Sequence, residues 1–268
     1  MHDGAVRVVG DKRRRELSAV PEPAREVVLD DEGSCGVCDL DDSATPVGGE
    51  DRAGGVVEER LAVEDAGSRG GEGVIQEVGA YAMELVELEA RRVTRERGAF
   101  RSDQFENQSN VAAHHTGTGQ EIWEQTGGRI DAFADFVGTG GCLAGVTCAL
   151  KEHKPSVRCF AVEPAGAAVL AGEAVPQPNH PIQGGGFSRA DLTHLRDVPI
   201  DGYVQVTGEE ARSTARLLAT REGIFGGFSA GANVSAALHL LRNEMAGATI
   251  AVLIPDSGLK YLSTDLWE

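Results

Sequence analysis

The sequence predicts an α/β fold over residues 101–268: a mainly parallel β-sheet flanked by helices, preceded by a poorly ordered N-terminal segment. The first observation is that strand-like and helix-like segments alternate along this range. The second is that several strand segments, such as "VRCFAVEP", are apolar at nearly every position, which is typical of a parallel strand covered on both faces. In such a sheet, ligands bind at the carboxyl ends of the strands.

The elements can be assigned in chain order. The segment "VAAHHTGTGQEIWEQTGG" contains a helix that ends at a glycine pair, and "IDAFADFVG" is a strand. "GCLAGVTCALKEHKP" is a helix that ends before Pro155, and the strand "VRCFAVEP" follows it. "GYVQVTGEEARSTARLLATREG" gives a strand, a turn and a helix with acidic residues in its first turn. "GFSAGANVSAALHLLRNEMAG" is a further helix, and "TIAVLIPDSG" is the last buried strand.

The first hundred residues differ in character from the rest. Residues 1–99 contain a single aromatic residue, Tyr81, together with 23 acidic and 13 basic residues. Because so little apolar surface cannot offset the entropy lost on ordering, we expect residues 1–70 to be largely disordered. Only "GVIQEVGAYAMELVELEARRVTRERGAF" has helical spacing, which predicts a helical lead-in over residues 71–100.

The charge of the chain argues against two classes of partner. A formal net charge of −17 and an isoelectric point near 4.8 disfavour nucleic acids and anionic membranes, which both bind basic surfaces. Only four of the 25 basic residues are lysines. An acidic, lysine-poor composition is typical of proteins from a salty cytoplasm, and a GC-rich genome produces the same bias. Both explanations stay open.

The predicted cellular compartment rests on two features that we do not find in the sequence, a membrane span and a signal peptide. No apolar run reaches the roughly 18–20 residues of a membrane span, and "MHDGAVRVVGDKRRREL" has no apolar core like that of a signal peptide. We therefore expect a cytoplasmic protein whose five cysteines are free thiols. Cys35 and Cys38, in "CGVC", have the spacing of a redox pair or half a zinc site. Since no second Cys/His pair completes that site, we expect no bound metal.

The stretch "FVGTGGCLAG" carries the clearest functional signal. Its glycine-rich turn follows a strand and opens a helix, so backbone N–H groups and the helix dipole can hold a phosphate there. A plain tight turn is the structural alternative. The spacing is G-x-G-G rather than G-x-G-x-x-G, and Glu163 on the next strand is only weak support for a dinucleotide. No Lys-Ser/Thr follows the glycines, which excludes a Walker loop.

Several segments resemble one enzyme family when they are read in order. They are "DQFENQSNVAAHHTGTGQEIWEQTGGRIDAFADFVGTGGCLAGV", "HPIQGGGF", "EEARSTARLLATREGIFGGFSAGAN" and "VLIPDSGLKYLSTDLW". Together they resemble the C-terminal two-thirds of the cysteine synthase/cystathionine β-synthase family, which are pyridoxal-phosphate enzymes of fold type II. The resemblance covers roughly residues 100–268 and implies that residues 101–268 are a domain that binds pyridoxal 5′-phosphate.

The resemblance assigns roles at two anchor points of that cofactor. Five residues match the family's phosphate-binding loop, usually G-T-G-G-T: Gly138, Thr139, Gly140, Gly141 and Cys142. Position 142 departs from the pattern, since a thiol is a weaker donor than a threonine hydroxyl. Ser229 in "GGFSAG" matches the serine that hydrogen-bonds the pyridine nitrogen; its structural alternative is a helix N-cap.

The resemblance also suggests residues for the substrate. Gln104 in "DQFENQSN" matches a glutamine that binds the substrate carboxylate. Gly184 and Gly185, in "IQGGGF", match an active-site loop that in the family is longer, usually "IQGIGAGF". Asp256 and Ser257, in "PDSG", resemble a cystathionine β-synthase variant of a segment that often reads "PSSG" in cysteine synthases. Lining the cofactor pocket and ending a strand are both open as roles for this pair.

The lysine that forms the Schiff base with the cofactor is not found. In the family it lies in an "S-x-K-D-R" motif, followed by a "T-S-G-N-T-G" loop that grips the substrate carboxylate, and neither motif occurs here. The four lysines, Lys12, Lys151, Lys154 and Lys260, stand in unrelated contexts. We therefore assign no catalytic residue and expect the cofactor to bind non-covalently at best. A reading-frame shift or a wrongly chosen start, affecting residues 1 to about 95, is our hypothesis for the lost motifs.

Three functions remain open from the sequence. The first is cysteine synthesis from O-acetylserine and sulfide, in a chain that is inactive without its lysine. The second is a related β-elimination or replacement, such as cysteine desulfhydration or cystathionine formation. The third is a non-catalytic fragment that binds phosphate or a partner. The resemblance further implies a small amino-acid substrate and a homodimer.

Overall fold

The structure, a computed structural model, describes residues 7–9, 25–29, 34–39 and 78–268, with side-chain surroundings from residue 86 onward. Seven strands are described: β1 (Arg7–Val9), β2 (Arg25–Leu29), β3 (Ser34–Asp39), β4 (Ala132–Phe136), β5 (Arg158–Pro164), β6 (Gly202–Val206) and β7 (Ile250–Ile254). The α-helices are α1 (Val78–Arg97), α2 (Ser109–Ala113), α3 (Gly119–Gln125), α4 (Gly141–His153), α5 (Gly208–Leu217) and α6 (Phe228–Asn243).

Shorter helical turns complete the described elements. Two π-helical turns extend α2 and α5, over His114–Thr118 and Leu218–Glu222. Three 3-10 turns cover Thr193–Leu195, Gly258–Tyr261 and Asp265–Trp267. None of the helices in the described part of the chain combines the length and apolar character that a membrane span requires.

The predicted α/β fold is confirmed for residues 101–268. The sheet runs in the order β1-β3-β2-β7-β4-β5-β6, and its four strands from β7 to β6 are mutually parallel. Each predicted strand and helix of this range is present, and the glycine pair predicted to stop α3, Gly127 and Gly128, has φ of +59° and +71°. The carboxyl ends of the four parallel strands therefore meet at one edge of the sheet.

Three strands lie within residues 1–70, the range for which the sequence predicts little order. β2 pairs antiparallel with β7, from Arg25 opposite Ile254 to Leu29 opposite Ile250. β3 pairs antiparallel with β2, and β1 pairs parallel with β3. The rest of that range lies outside the described residues, so its predicted disorder stays a prediction. Helix α1 lies within the segment whose spacing predicts a helix.

Two apolar layers cover the parallel strands. Helices α5 and α6 pack on one face, where Phe160 and Phe228 are among the fully buried side chains. Helices α3 and α4 pack on the other, where Phe133 and Leu143 are buried. Helix α6 approaches α5 so closely that a Cβ at Gly231 would lie 1.9 Å from the carbonyl oxygen of Ala211. This double covering accounts for the nearly continuous apolar strands of the sequence.

Candidate functional site

The sequence-predicted site residues gather at the carboxyl edge of the parallel strands. The glycine-rich loop follows β4, Asp256 and Ser257 follow β7, and Ser229 begins α6. The pairing of β4 with β7 ends at Ala134 and Val252. An open sheet binds ligands in the crevice where neighbouring strands diverge in their connections, and this edge is such a place.

A buried asparagine holds β4 and β7 together beyond their last pair. Asn233 of α6 is fully buried; its Oδ1 accepts a hydrogen bond from the N–H of Phe136 at 2.6 Å, and its Nδ2 donates to the carbonyl of Leu253 at 3.0 Å. The amide side chain thus satisfies backbone groups of both strands at the carboxyl edge. It also fixes the first turns of α6 against the sheet.

The glycine-rich loop has the geometry of an anion cradle. Gly140 is the N-cap of α4 with φ of +85°, a left-handed conformation that favours glycine, and it has no side chain to cap the helix. Oγ1 of the preceding Thr139 accepts a hydrogen bond of 3.3 Å from the N–H of Gly141. A Cβ at Gly141 would lie 2.2 Å from Oδ1 of Asn110, so a larger residue requires the Asn110 amide to move. The N–H groups in the first turn of a helix lack intrahelical partners, and the helix dipole adds positive potential there. The local structure therefore suits a phosphate.

Side chains from two preceding segments brace this loop. Asn110 Nδ2 donates to Oγ1 of Thr139 at 3.0 Å and to the carbonyl of Gln104 at 2.9 Å. The same carbonyl accepts a hydrogen bond from Nε2 of His194, at 2.8 Å, and that histidine is 4% exposed. Gln104 itself is exposed, so its backbone is held while its side chain faces solvent. Sequence reasoning did not single out Asn110 or His194, although Asn110 ends the quoted motif "DQFENQSN".

The loop with Gly184 and Gly185 touches the glycine-rich loop directly. A Cβ at Gly185 would lie 2.7 Å from the carbonyl of Val137, and one at Gly138 would lie 3.0 Å from the carbonyl of Gly184. The N–H of Gly186 donates to Val137 at 2.9 Å. The two loops are therefore packed backbone to backbone, and both need glycine at the contact.

Ser229 lies in the first turn of α6 and is 8% exposed. It is not the N-cap, which is Gly227, so the structural alternative from the sequence is wrong. Its hydroxyl makes no hydrogen bond to any residue that the structure describes. One turn of helix separates it from Asn233, which places both on the same side of α6. The hydroxyl is available to a ligand at the carboxyl edge.

Asp256 and Ser257 organise the chain after β7. Oδ2 of Asp256 accepts a hydrogen bond from the Tyr261 hydroxyl at 2.6 Å, and burial together with this carboxylate raises the pKa of Tyr261. The Asp256 carbonyl accepts from the N–H of Gly227 at 3.2 Å. The Ser257 side chain caps the following 3-10 turn by accepting from Leu259 at 3.3 Å. Both residues thus fix the chain beside the start of α6.

A second buried carboxylate occupies the edge, and the sequence analysis did not identify it. Asp135 is 5% exposed within β4, whose other residues are apolar and buried. The Cys142 thiol and the Asn233 amide are its polar neighbours. Burial raises the pKa of Asp135 to about 6, and these two neighbours offset part of that rise. The signal in the sequence is a charged residue inside an otherwise apolar strand.

The Glu163 carboxylate is hydrogen-bonded to backbone N–H groups and is not available to a nucleotide. Its carboxylate accepts hydrogen bonds from the N–H groups of Leu170 and Ala171, at 2.8 and 2.9 Å. The side chain is 3% exposed, and burial raises its pKa despite those bonds. Glu163 therefore orders the loop after β5, which removes the weak support for a dinucleotide site.

Two of the four lysines lie at the opposite edge of the sheet. Lys151 and Lys154 occupy the C-terminal end of α4. Nζ of Lys151 lies 2.7 Å from Oδ2 of Asp201, which precedes β6, and Nζ of Lys154 lies 3.0 Å from Oδ1 of Asp131, which precedes β4. Both ammonium groups are committed to ion pairs at the amino ends of the strands. They cannot reach the glycine-rich loop at the other end of the same helix.

Lys260 and Lys12 are the remaining lysines. Lys260 lies after β7, with a side chain that is 68% exposed and 3.8 Å from Asp256. Lys12 lies outside the described residues. Within the described residues, the lysine hydrogen bonds go to Val157, Ile130 and Asp131, and none goes to the glycine-rich loop or to Ser229.

These groups fit part of a pyridoxal-phosphate site. The uncapped start of α4 offers backbone donors for a phosphate, and the glycines leave room for it. The unpaired Ser229 hydroxyl suits an aromatic ring nitrogen. Lys151 and Lys154 are ion-paired at the other edge of the sheet. The arrangement can therefore offer backbone donors to a phosphate and a hydroxyl to a ring nitrogen.

Comparison with known proteins supports the same kind of site. The profile of a family described as pyridoxal-phosphate dependent enzyme matches residues 66–256. Cysteine synthase A of Salmonella typhi is 44% identical over 173 residues, which are 61% of this chain and 53% of that protein. The chain thus spans about half the length of that curated relative.

Solved structures give the same picture. O-acetyl serine sulfhydrylase isoform 3 from Entamoeba histolytica superposes with a TM-score of 0.62 at 36% identity, covering 69% of this chain and 55% of that one. An O-ureido-L-serine synthase superposes with a TM-score of 0.62 at 38% identity, covering 71% and 59%.

Proposed function

The chain belongs to the pyridoxal-phosphate dependent enzyme family, and from that premise we propose that it carries the cofactor-binding part of a cysteine synthase-like scaffold. The observation that carries the proposal is the uncapped, glycine-lined start of α4 beside the free hydroxyl of Ser229. The 44% identity to a cysteine synthase A supports the choice within the family.

The proposed roles follow from the chemistry of each group. Backbone N–H groups of Gly140, Gly141 and Cys142 bind the cofactor phosphate, aided by the dipole of α4. The Ser229 hydroxyl binds the pyridine nitrogen as a neutral partner. When bound, the cofactor withdraws electrons from the α-carbon of an amino-acid substrate. Gln104 is proposed to bind the substrate carboxylate, with the loop of Gly184 and Gly185 closing beside it.

The proposed reaction of the scaffold is a β-replacement. O-acetylserine loses acetate from its β-carbon, and sulfide adds there to give cysteine. The names of the relatives support this substrate class, since they include a cysteine synthase and an O-acetyl serine sulfhydrylase. A base is needed to take the α-proton, and in the family this is the lysine that also holds the cofactor.

We propose that the chain as written binds the cofactor without a covalent bond and is catalytically inactive. Support comes from Lys151 and Lys154, whose ammonium groups are tied to Asp201 and Asp131. Support also comes from Lys260, which is exposed beside Asp256. A lysine held in an ion pair at the other edge of the sheet, or exposed beside a carboxylate, lacks the position of a covalent anchor.

Borohydride fixation tests this proposal. The protein is incubated with pyridoxal 5′-phosphate, treated with borohydride, and digested for peptide mapping, while equilibrium dialysis measures reversible binding. We expect retained cofactor in dialysis and no peptide carrying a reduced cofactor at stoichiometric yield. A modified peptide containing any one of the four lysines at such yield would contradict the proposal. No retention in dialysis would remove the cofactor site itself.

A related reaction is the second candidate, favoured by Asp256. Its Oδ2 binds Tyr261, whereas its Oδ1 is buried without a partner in the described part of the chain. An acceptor left free there would suit a polar group of the larger sulfur nucleophile used in cystathionine formation. Cysteine desulfhydration is the other reaction in this second candidate. A non-catalytic phosphate- or partner-binding protein is the third candidate. Assays with O-acetylserine, cysteine and homocysteine, on a protein carrying the lysine motif, separate the first two.

The compartment, oligomeric state and partners of the protein are also proposals. We propose a cytoplasmic protein that forms a homodimer, as the family resemblance implies, and that has neither nucleic-acid nor membrane partners. Its net charge of −17 supports the absence of polyanionic partners. Analytical ultracentrifugation decides the oligomeric state.

A further inference from the structure

A cavity beside the glycine-rich loop contains a guanidinium to which the proposed function gives no role. Arg189 lines this cavity together with Gly138, the first glycine of the loop. The N–H of Gly186 donates to the carbonyl of Val137 at 2.9 Å, which fixes the segment that carries Arg189 beside the end of β4. The cavity therefore lies at the carboxyl edge of the sheet, next to the proposed cofactor site.

Arg189 differs from the other partly buried arginines of the described residues. Each of the other four hydrogen-bonds a carboxylate or a carbonyl. They are Arg101, Arg158, Arg212 and Arg216, and their acceptors belong to Glu87, Glu244, Asp265 and Leu266, at 2.9, 3.0, 2.7 and 2.7 Å. Arg189 makes no hydrogen bond or ion pair with any described residue, in a chain with 42 acidic and 25 basic residues. Its donors are available to a ligand.

The acids nearest to Arg189 are bound to other groups. Asp191, two residues further on, accepts a hydrogen bond from Arg196 at 2.7 Å. Glu163 lines the same cavity, but each of its two carboxylate oxygens accepts a backbone N–H of the loop after β5, at 2.8 and 2.9 Å. Neither acid therefore neutralises the guanidinium by a direct contact.

The surrounding residues hold the guanidinium in place. It lies over the ring of Phe105, 4.9 Å from the centroid, and the ring of Phe187 packs edge-on against Phe105 at 5.9 Å. Stacking on an aromatic face fixes the guanidinium plane and leaves the N–H groups at its edge free. The preceding residue, Ser188, has φ of +54°, a left-handed conformation that residues other than glycine rarely adopt. Such backbone strain is typical of ligand-binding segments.

The rest of the cavity limits the kind of anion that it can take. Its walls are mostly apolar and include Val137, Val169, Leu192 and Phe187. Its empty space is about 250 Å³, part of which is open to solvent, whereas pockets for drug-sized ligands measure roughly 300–1,000 Å³. One fork of donors with apolar walls in a small space suits a short organic carboxylate, since guanidinium and carboxylate match in a bidentate pair.

We propose that this cavity binds a small carboxylate of the size of acetate, with the carboxylate on Arg189 and the methyl group against the apolar walls. The inference deepens the proposed function and rests on it, because acetate is the group released in the proposed β-replacement. In that reaction the bond between the β-carbon and the ester oxygen breaks, and its electron pair leaves with acetate. Arg189 then binds the negative charge of the departing group.

The first test compares acetate with an uncharged analogue of the same shape. A ¹⁵N-labelled sample of the full chain is titrated with sodium acetate, which replaces sodium chloride at constant ionic strength, and separately with acetamide. We expect acetate to shift the amides of Gly138, Ser188 and Arg189 along a saturating curve, and acetamide to leave them unchanged. Equal shifts with both compounds would overturn the proposal, since the charge would then be irrelevant.

The second test changes the guanidinium. Arg189→Gln should weaken acetate binding roughly tenfold or more, because a charge-assisted bidentate pair is lost. Arg189→Lys keeps the charge without the fork and should give an intermediate affinity. Arg158→Gln is the matched control. Its guanidinium also lies over a phenylalanine ring, that of Phe160 at 4.7 Å, but it is bound to Glu244 at the amino end of β5. This control should bind acetate as the wild type does.

The outcomes separate this inference from the proposed function. Wild-type affinity for acetate in Arg189→Gln would overturn the carboxylate site, and if that variant does not fold, the comparison of acetate with acetamide on the wild type still decides. Equilibrium dialysis with pyridoxine 5′-phosphate, which lacks the aldehyde that reacts with lysine, tests the cofactor site by itself. Retained pyridoxine 5′-phosphate without acetate binding overturns this inference alone. Acetate binding that depends on Arg189, without retained pyridoxine 5′-phosphate, supports the carboxylate site and removes the proposed cofactor site.

Discussion

The unit formed by β4 and α4 has an aspartate at each edge of the sheet, and the two aspartates have opposite electrostatic surroundings. At the amino end of the strand, Asp131 is partly exposed and is paired with Lys154 at 3.0 Å. At the carboxyl end, Asp135 is buried beside a thiol and an amide. The amino edge is thus neutralised by ion pairs, whereas the carboxyl edge keeps uncapped backbone donors and an uncompensated acid. The difference separates the part of the unit that stabilises the fold from the part that is open to a ligand.

The pKa values express this contrast. At Asp131 the cost of burial is outweighed by a hydrogen bond from Thr249 and by Lys154, and its pKa is lowered. At Asp135 burial dominates and its pKa is raised to about 6. A lowered pKa gives stability at neutral pH that is lost in acid, and a raised pKa gives the reverse. The same residue type therefore stabilises one end of the strand and destabilises the other near neutrality.

The largest expected effect comes from closing the cradle. In Gly141→Ala the new Cβ would lie 2.2 Å from Oδ1 of Asn110, so that side chain must leave Thr139. We expect binding of pyridoxine 5′-phosphate to weaken roughly hundredfold, about 3 kcal/mol, as measured by equilibrium dialysis. Gly117→Ala is the control, because nothing lies within 4 Å of its added Cβ. Equal affinity in Gly141→Ala and wild type would place the ligand elsewhere.

The next effect concerns stability against pH. In the wild type, Asp135 loses its proton at about pH 6 in the folded state and at about pH 4 when unfolded, so stability falls as the pH rises between these values. The free energy of unfolding of Asp135→Asn should therefore exceed that of wild type by an amount that grows by roughly 2–3 kcal/mol between about pH 4 and pH 7. Urea denaturation at a series of pH values measures this difference.

The opposite end of the strand supplies the control for that experiment. Asp131→Asn removes a group whose lowered pKa contributes stability above its unfolded value and loses that contribution in acid. This variant should therefore lose stability relative to wild type as the pH rises through the acid range to about 4, the pKa of an unfolded aspartate. If the free energy of unfolding depended on pH in the same way in Asp131→Asn and Asp135→Asn, the proposed difference between the two aspartates would be wrong.

A smaller effect is expected at position 142. Cys142→Thr replaces a weak thiol donor with a hydroxyl, the group that the family loop usually carries. We expect pyridoxine 5′-phosphate to bind more tightly by about 1 kcal/mol, the net value of a typical hydrogen bond. Isothermal titration calorimetry at one pH measures the change. Ala at the same position serves as the control, and equal affinities for Thr and Ala would exclude a contact between this side chain and the phosphate.

Much of the fold could be predicted because its signals are local. The apolar runs of β4, β5 and β7 and the glycine pair after α3 follow from periodicity and stop signals in short windows. The pairing of β2 with β7 could not, because it joins residues more than two hundred positions apart. The run "REVVL" is rich in β-branched residues, but its surroundings of charge and glycine masked that signal.

The candidate site was only partly predictable. Gly138 to Cys142 form a contiguous motif whose backbone role can be recognised from the order of residues. Asn110 and His194 contribute through tertiary contacts with Thr139 and Gln104, which no local pattern encodes. Whether these residues bind a cofactor stays a prediction that the ligand experiments decide.

Backbone amide chemical shifts test the central claim most directly. In a ¹⁵N-labelled sample titrated with pyridoxine 5′-phosphate, we expect the largest changes at the amides of Gly140, Gly141 and Cys142, with Lys151 and Lys154 unaffected. Pyridoxine without the phosphate should leave the first group unchanged. Shifts confined to the lysine end of α4, or equal shifts with both ligands, would contradict the assignment of the start of α4 as the phosphate site.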